Sequence, residues 1–337
     1  MKRNRVDIKK RIKKRIELNS QKYVFINKKQ INEHVKPLII KKSIEKNEMS
    51  RENNLMRIFG ITPATSNQII KEISILYNTD KRDIKLSVGI PCYNGNDIAW
   101  LCMEGLCNQV NVSFDWEIII CEEIHEKQIG REFFSQYINR LLNIGCKKIT
   151  YIELSNWISL SEKWKIIGQN LDNYDGGFVL QAIDCYPPSE RLVITHELIN
   201  LDNHDWIDFN RGYFYSFIND KLILYDSAVY DKVAKTNLHM AFKSKYAQYL
   251  ESSSQKSGID GLLLKTISKI NPNIQIFTCN KLLPDGIDTD GYNNISKRRI
   301  NNYVSIGFPF VKTDKTIEEI GLPNHIIENI KKMIINE

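Results

Sequence analysis

Polar and aromatic side chains follow the first of several short apolar runs in the middle of the chain. Leu86–Ile90 is typical of a buried strand, and Pro91 ends it. Tyr93 then offers a flat aromatic face, while Asn94 and Gly95 permit a tight turn. An aromatic ring and an amide beside a strand end can hold a planar base, so Pro91, Tyr93 and Asn94 are candidate binding residues.

Carboxylates follow two later apolar runs. Glu122 and Glu123 come directly after Trp116–Cys121, where a carboxylate can accept the imino hydrogen of a uracil-like base or bind a ribose hydroxyl. Asp184 comes directly after Gly177–Ile183, where a sheet would open toward solvent. Turns are rich in Asn and Gly and acids often end strands, so each feature taken alone also fits an ordinary turn.

The elements that must position these residues alternate between strands and helices. Strands are predicted at 86–90, 116–121, 148–153 and 177–183, and helices at 97–109, 131–144 and 161–171. Strand, helix and strand at this spacing form a crossover unit of a parallel sheet. The pattern predicts a doubly wound α/β fold with a mostly parallel sheet, in which ligands bind beyond the carboxyl ends of the strands.

Positive charge is concentrated at the front of the chain. The net charge is +7, yet residues 1–85 hold 22 lysines and arginines against 9 acidic residues, whereas residues 86–337 hold 25 against 31. The basic clusters within residues 1–50 fit a solvated helix face. They also suit contact with an anionic surface, either the phosphates of nucleic acid or an acidic membrane.

Residues 1–84 are predicted to form a basic helical N-terminal segment. Ile8, Ile12 and Ile16 fall on one side of a helix. A second helix is predicted to follow Thr62-Pro63. The apolar residues that would form its inward face are Ile69, Ile70, Ile73 and Leu76. A DNA-binding helix-turn-helix is disfavoured because no clear turn separates two well-formed helices.

Composition indicates a globular protein. The chain has 337 residues, of which 42% are hydrophobic, enough to fill a substantial core. No apolar run is long enough to form a transmembrane segment, and no secretory signal follows Met1, so we expect a cytoplasmic protein. The seven cysteines are scattered without a zinc-like spacing, which predicts reduced core residues.

Together and in this order, the strand-end segments resemble family-2-like GT-A glycosyltransferases. Such enzymes begin with a strand and a Pro-x-Tyr-Asn turn, place an acidic pair after a Glu-Ile-Ile-Ile strand, and end a later strand in an Asp-x-Asp motif followed by Pro-Pro. The matching pieces are Ser87–Asn94, Glu117–Glu123 and Val179–Leu192. The predicted division is a GT-A domain over residues 85–290 and a C-terminal helical extension over residues 291–337.

The resemblance implies transfer of a sugar from a nucleotide-diphosphate sugar, with UDP-sugar favoured, to a hydroxyl of a glycan, protein, lipid or nucleic acid. Transfer would proceed by direct displacement with inversion, assisted by Mn²⁺ or Mg²⁺. Tyr93, Asn94 and Glu122 or Glu123 would hold the nucleoside. Asp184 would hold the metal or the ribose.

The sequence departs from the Asp-x-Asp pattern of the family. Read with Asp184 first, the third position is Tyr186; aligned on Tyr-Pro-Pro, the acidic positions become Gln181 and Ile183. One carboxylate remains in either alignment, so metal affinity should fall. Weak metal dependence, lost activity and neutralisation of the phosphates by a basic side chain are the alternatives. The basic candidates are Lys163, Lys165 and Arg191.

The base that takes the acceptor's proton is implied by the same resemblance. The family places an acid at the start of a helix some distance after the metal motif. Asp260, which precedes the apolar run Leu262–Leu264, is the best match. An aspartate there would equally cap the helix, and the two roles are compatible because a capping carboxylate stays ionised.

Two further segments carry chemistry-bearing residues. Asp285, Asp288 and Asp290 have calcium-loop character but lack the required glutamate, so a polar surface loop is the better interpretation. The aromatic stretch Trp206–Tyr215 fits core packing better than sugar stacking. The rival functions are a catalytically eroded GT-A domain that serves as a binding or scaffold module, and a nucleic-acid-associated protein that uses its basic N-terminus.

Overall fold

The structure is a computed structural model in which part of the chain is described. The described residues are 38–42, 69–76, 84–93, 95, 97–126, 128–155, 158–172, 174–217, 220–226, 240–250, 259–290 and 310–334. The chain divides into two compact units, Met1–Leu38 and Ile39–Glu337. Apart from Leu38, every described residue belongs to the second unit.

The described strands and helices alternate through the middle of the chain. The strands are β1 (Leu38–Lys42), β2 (Ile69–Leu76), β3 (Ile84–Cys92), β4 (Asp115–Glu123), β5 (Cys146–Leu154), β6 (Gly177–Leu180), β7 (Trp206–Phe209), β8 (Arg211–Ser216), β9 (Lys221–Asp226), β10 (Ala241–Lys243), β11 (Ile276–Cys279), β12 (Ile287–Asp290) and β13 (Phe310–Lys312). The α-helices are α1 (Ala99–Cys107), α2 (Arg131–Ser135), α3 (Ile138–Asn143), α4 (Leu160–Gln169), α5 (Arg191–His196), α6 (Ile259–Ile270) and α7 (Asn324–Lys332).

The central sheet has the order β1-β2-β5-β4-β3-β6-β10-β7-β11. Strands β5, β4, β3 and β6 run parallel to one another, and β11 runs parallel to β7. Strand β2 pairs antiparallel with β5, and β10 pairs antiparallel with β6 and β7. The mixed α/β fold and the mostly parallel sheet predicted from the sequence are therefore confirmed.

Both faces of the central sheet are buried. Along β4, Ile118 and Ile120 belong to one hydrophobic cluster, while Ile119 and Cys121 belong to another. Because successive strand residues face opposite sides, a continuous apolar run fills two cores at once. Helices α1, α3 and α5 contribute to the first cluster, and α4 and α6 contribute to the second.

A second sheet of order β12-β8-β9-β13 carries a third hydrophobic cluster. Tyr213 and Tyr215 of β8 pack there with Ile326 and Ile330 of α7. The buried residue Ile98, just before α1, belongs to the same cluster, so the second sheet and α7 are packed against the parallel half of the fold.

The helix predicted after Thr62-Pro63 is wrong for the residues of its inward face, because Ile69–Leu76 is strand β2. Its isoleucine spacing suits a helix face, but four of its eight residues are isoleucines, which favour strands. Pairing with β5, more than seventy residues further along the chain, decides the outcome. Tertiary pairing thus overrides the helical spacing.

Three smaller differences separate prediction and structure. The helix predicted over 131–144 is two helices, α2 and α3. The strand predicted over 177–183 ends at Leu180. Pro91 lies inside β3 rather than ending it. The pairing of β3 with β6 ends at Gly89, so Pro91 has a neighbouring strand, β4, on one side only. A proline is tolerated there because β3 has lost one of its two neighbours.

Residues 1–37 lie outside the described part of the chain, and so does most of the predicted N-terminal segment. Anionic contact through residues 1–50 and the division at residues 84 and 290 remain predictions. No helix in the described ranges has both the length and the apolar character needed to cross a bilayer. All seven cysteines are buried free thiols, as the sequence predicts.

A buried ionic cluster ties three parallel strands together at their amino ends. Ser87 Oγ donates to Glu117 Oε1 at 2.6 Å, and the Asp172 backbone N–H donates to the same oxygen at 3.1 Å. Lys148 Nζ lies 2.6 Å from Asp172 Oδ2 and 3.5 Å from Glu117 Oε2. Burial raises the pKa of Glu117.

We expect Lys148→Met to lower the free energy of unfolding by about 2–3 kcal/mol, because Glu117 keeps two hydrogen-bond donors but loses its counter-charge. Urea denaturation would measure the change. Lys147→Met is the matched control, since Lys147 is 32% exposed and lies 4.0 Å from Asp115; it should cost at most about 1 kcal/mol. Equal losses in the two variants would contradict the assigned role of the buried cluster.

Candidate functional site

Three loops meet at the carboxyl edge of the parallel strands. Strand β3 lies between β4 and β6, and all three run in the same direction, so their carboxyl ends share one edge. A Cβ atom placed on Gly95, after β3, would lie 3.4 Å from Ile129 and 3.3 Å from Ile183. The loops that follow β3, β4 and β6 therefore touch one another.

Tyr93, Lys163 and Glu123 form one half of this edge. Lys163 Nζ donates to the Cys92 carbonyl at 2.5 Å, forms an ion pair with Glu123, and lies 5.3 Å from the centroid of the Tyr93 ring. Lys163 and Glu123 are both buried, and the Glu123 oxygens have no hydrogen-bond partner among the described residues beyond this ion pair. The lysine that the sequence suggests for phosphate binding is thus already paired with a carboxylate.

Glu122 faces the opposite side of β4. Its Oε1 accepts the Ile129 N–H at 2.8 Å, and its Oε2 accepts the Gly130 N–H at 3.1 Å and the Tyr151 hydroxyl at 2.9 Å. Burial raises the pKa of Glu122, and the two backbone donors oppose this rise. Glu122 shapes the loop after β4, which leaves Glu123 as the acid on the Tyr93 side.

Asp184 and Asp288 form the other half of the edge. The Cys185 thiol donates to Asp184 Oδ1 at 3.6 Å, and the Asp288 carboxylate is a second acceptor within reach of the same thiol. Burial raises the pKa of Asp288 to about 7, and the charge of Asp184 contributes to the rise. The surface loop predicted for Asp288 is wrong, since this residue lies partly buried in β12.

Arg191 lies close enough to Asp288 to interact with its charge. Its side chain is wholly buried, its Nη2 donates to the Met240 carbonyl at 3.0 Å, and its guanidinium lies 4.8 Å from the centroid of the Phe209 ring. Its Nε and Nη1 find no hydrogen-bond acceptor in the described ranges. Burial lowers the pKa of Arg191 to about 9, and attraction to Asp288 opposes this fall.

The remaining candidates lie outside the described residues or in the core. Asn94 is outside, and so is the side chain of Asp260, whose backbone lies in the first turn of α6. Their proposed roles remain predictions. Trp206 and Tyr213 are buried, as core packing requires, and Trp206 Nε1 donates to Asp208 Oδ1 at 2.7 Å.

The carboxylates near Asp184 suit a hard cation that takes its remaining ligands from water and from substrate phosphates. No cluster of three or more histidine, cysteine or acidic side chains suited to a metal occurs among the residues that the structure describes. Two carboxylates that share one thiol contact are nevertheless present. Mg²⁺ commonly binds through one or two carboxylates together with waters and substrate phosphates, so these residues fit such a site.

The chain is similar to several solved structures, among them TarS and a mannosyltransferase. It is 14% identical to TarS 1–349 from S. aureus, with 61% of this chain and 60% of that chain covered at a TM-score of 0.44. The chain is 13% identical to the TarS 1–349 complex with UDP-GlcNAc, with 74% of this chain and 71% of that chain covered at a TM-score of 0.47. It is 9% identical to the mannosyltransferase PcManGT from Pyrobaculum calidifontis in complex with GDP-Man and Mn²⁺, with 76% of this chain and 72% of that chain covered at a TM-score of 0.46.

The chain spans about three fifths of the first of these structures. No protein-family model and no curated protein sequence matches the chain.

Proposed function

We propose that the chain is a glycosyltransferase that moves one sugar from a nucleotide-diphosphate sugar to an acceptor hydroxyl. The observation that supports this most is the meeting of three strand-end loops at Gly95. It brings the segments that carry the glycosyltransferase-like motifs to one edge of the sheet. UDP is the favoured nucleotide and inversion the favoured outcome, both on the sequence resemblance.

Each residue of the edge has a separate task in this proposal. The Tyr93 ring stacks on the base, and the Lys163–Glu123 ion pair supports the ring from below. Asp184 holds a divalent cation, which when bound neutralises the leaving diphosphate. Asp260 takes the proton of the acceptor hydroxyl as that oxygen attacks the anomeric carbon.

A thermal-shift panel of UDP, GDP and ADP, each with and without Mn²⁺, tests the nucleotide part of the proposal. A ligand that binds only the folded state raises the melting temperature, and at one hundred times its Kd it adds about 2.7 kcal/mol to the free energy of unfolding. We expect UDP to give the largest rise, with a further rise on adding Mn²⁺. Absence of a shift with every nucleotide would contradict the proposal.

A non-catalytic nucleotide-sugar-binding module is the second candidate. It is favoured by the single acid that remains at the position of the Asp-x-Asp motif. This candidate predicts a UDP-induced thermal shift without release of UDP from any UDP-sugar in the presence of Mn²⁺. Detectable UDP release that depends on Asp184 would exclude it.

A further inference from the structure

We infer that Asp288, from the second sheet, is the second carboxylate of the cation site, in the place of the acid that the Asp-x-Asp position lacks. The inference rests on the proposed function. The two carboxylates are separated by more than one hundred residues in sequence, and each contacts the thiol of Cys185.

Backbone pairing brings the two acids together. Tyr186 and Ile287 exchange both hydrogen bonds, with N···O distances of 2.8 and 3.0 Å. Thr289 Oγ1 donates to the Asp184 carbonyl at 2.8 Å. The two contacts thus hold the residues on either side of Cys185. Because Ile287 and Thr289 flank Asp288 and are bonded to Tyr186 and Asp184, the position of Asp288 relative to Asp184 is set by the fold.

Two glycines hold the segment after Asp184 in place. A Cβ atom on Gly286 would lie 2.3 Å from Pro188 Cγ, and one on Gly105 of α1 would lie 2.5 Å from Pro187 Cδ. Both distances are below any real contact, so only glycine lets the two prolines pack this closely. Pro187 and Pro188, which follow Asp184, therefore pack between Gly105 of α1 and Gly286, the residue before β12.

The charge at this place favours a cation. With both carboxylates ionised, Asp184 and Asp288 carry two negative charges, and Arg191, which interacts with Asp288, offsets one of them, so that a divalent cation would offset the rest. Arg191 also keeps Nε and Nη1 without an acceptor among the described residues, although its side chain is wholly buried. Buried donors without a partner indicate that a further ligand, such as water or an anion, belongs to this site.

The test is Mn²⁺ binding to the full chain without nucleotide, measured by electron paramagnetic resonance of free Mn²⁺. We expect Asp288→Asn to weaken Mn²⁺ binding at least about tenfold, the smallest loss usually seen when even an outer-shell partner is removed. UDP binding in the presence of EDTA should stay unchanged. Asp288→Glu, which keeps the carboxylate, should recover part of the affinity.

Asp285→Asn is the matched control. Asp285 Oδ2 accepts the Ser189 N–H at 3.1 Å, a bond that asparagine can still accept, so Mn²⁺ affinity should stay within about twofold of the unmodified protein. Circular dichroism confirms that each variant is folded; if Asp288→Asn is not, Asp288→Ser, which also removes the carboxylate, replaces it.

The outcomes separate this inference from the proposed function. Full Mn²⁺ affinity in folded Asp288→Asn, together with its loss in Asp184→Asn, overturns the role of Asp288. A protein that binds UDP but no Mn²⁺ also overturns it and leaves the proposed nucleotide binding intact. A protein that binds Mn²⁺ through both acids but no nucleotide supports the site and contradicts the proposed function.

Discussion

Replacing Asp184 by asparagine is expected to lower kcat/KM for sugar transfer by about 100-fold to 1,000-fold. Asparagine keeps the size and one oxygen of the side chain but removes the charge that would hold the cation. A bound cation stabilises the developing charge of the leaving group by several kcal/mol, and each 1.4 kcal/mol corresponds to about tenfold in rate. Release of UDP from UDP-sugars with saturating Mn²⁺ would measure the change.

Glu190→Gln is the control for this experiment. Glu190 lies six residues further along the same segment, its side chain is 44% exposed, and it pairs with Lys281 at 2.6 Å on the surface. Loss of that exposed pair should leave kcat/KM within about twofold, since surface substitutions usually have small effects. Unchanged kcat/KM in folded Asp184→Asn would remove Asp184 from the proposed site.

The strands after Lys85 could be predicted from the sequence because their apolar runs are long and their ends are marked. The predicted strand Trp116–Cys121 lies within β4, and its isoleucines are buried on both faces. A continuous apolar run of this length is typical of a strand in a parallel sheet that has helices on both faces. The loops after such strands were therefore expected at one edge, and three of them meet at Gly95.

What could not be predicted depends on contacts between distant segments. The aspartate-rich surroundings of Asp288 predict a surface loop, whereas pairing of Ile287 with Tyr186 and of β12 with β8 makes Asp288 a strand residue. Glu122 and Glu123 are neighbours in sequence, and the sequence alone does not say which of them faces the nucleoside site. The alternation of β4 separates them, so that Glu122 holds the Ile129 backbone while Glu123 pairs with Lys163.

The second large effect is expected from Lys163→Met, which should lower the free energy of unfolding by about 3–5 kcal/mol. Glu123 is buried, and its carboxylate has no hydrogen-bond partner among the described residues beyond the ion pair with Lys163. Removing the lysine leaves that charge uncompensated. The expected loss exceeds that of Lys148→Met, because Glu117 retains donors from Ser87 and Asp172. Urea denaturation of both variants would compare them.

Two further variants decide whether the ion pair itself is responsible. Lys165 lies on the same helix as Lys163 but is only partly buried. The Lys165→Met substitution should therefore change the free energy of unfolding by no more than about 0.5 kcal/mol. Lys163→Met combined with Glu123→Leu removes both charges and should recover most of the lost stability. If the double variant is no more stable than Lys163→Met alone, the loss comes from packing under the Tyr93 ring and not from the unpaired carboxylate.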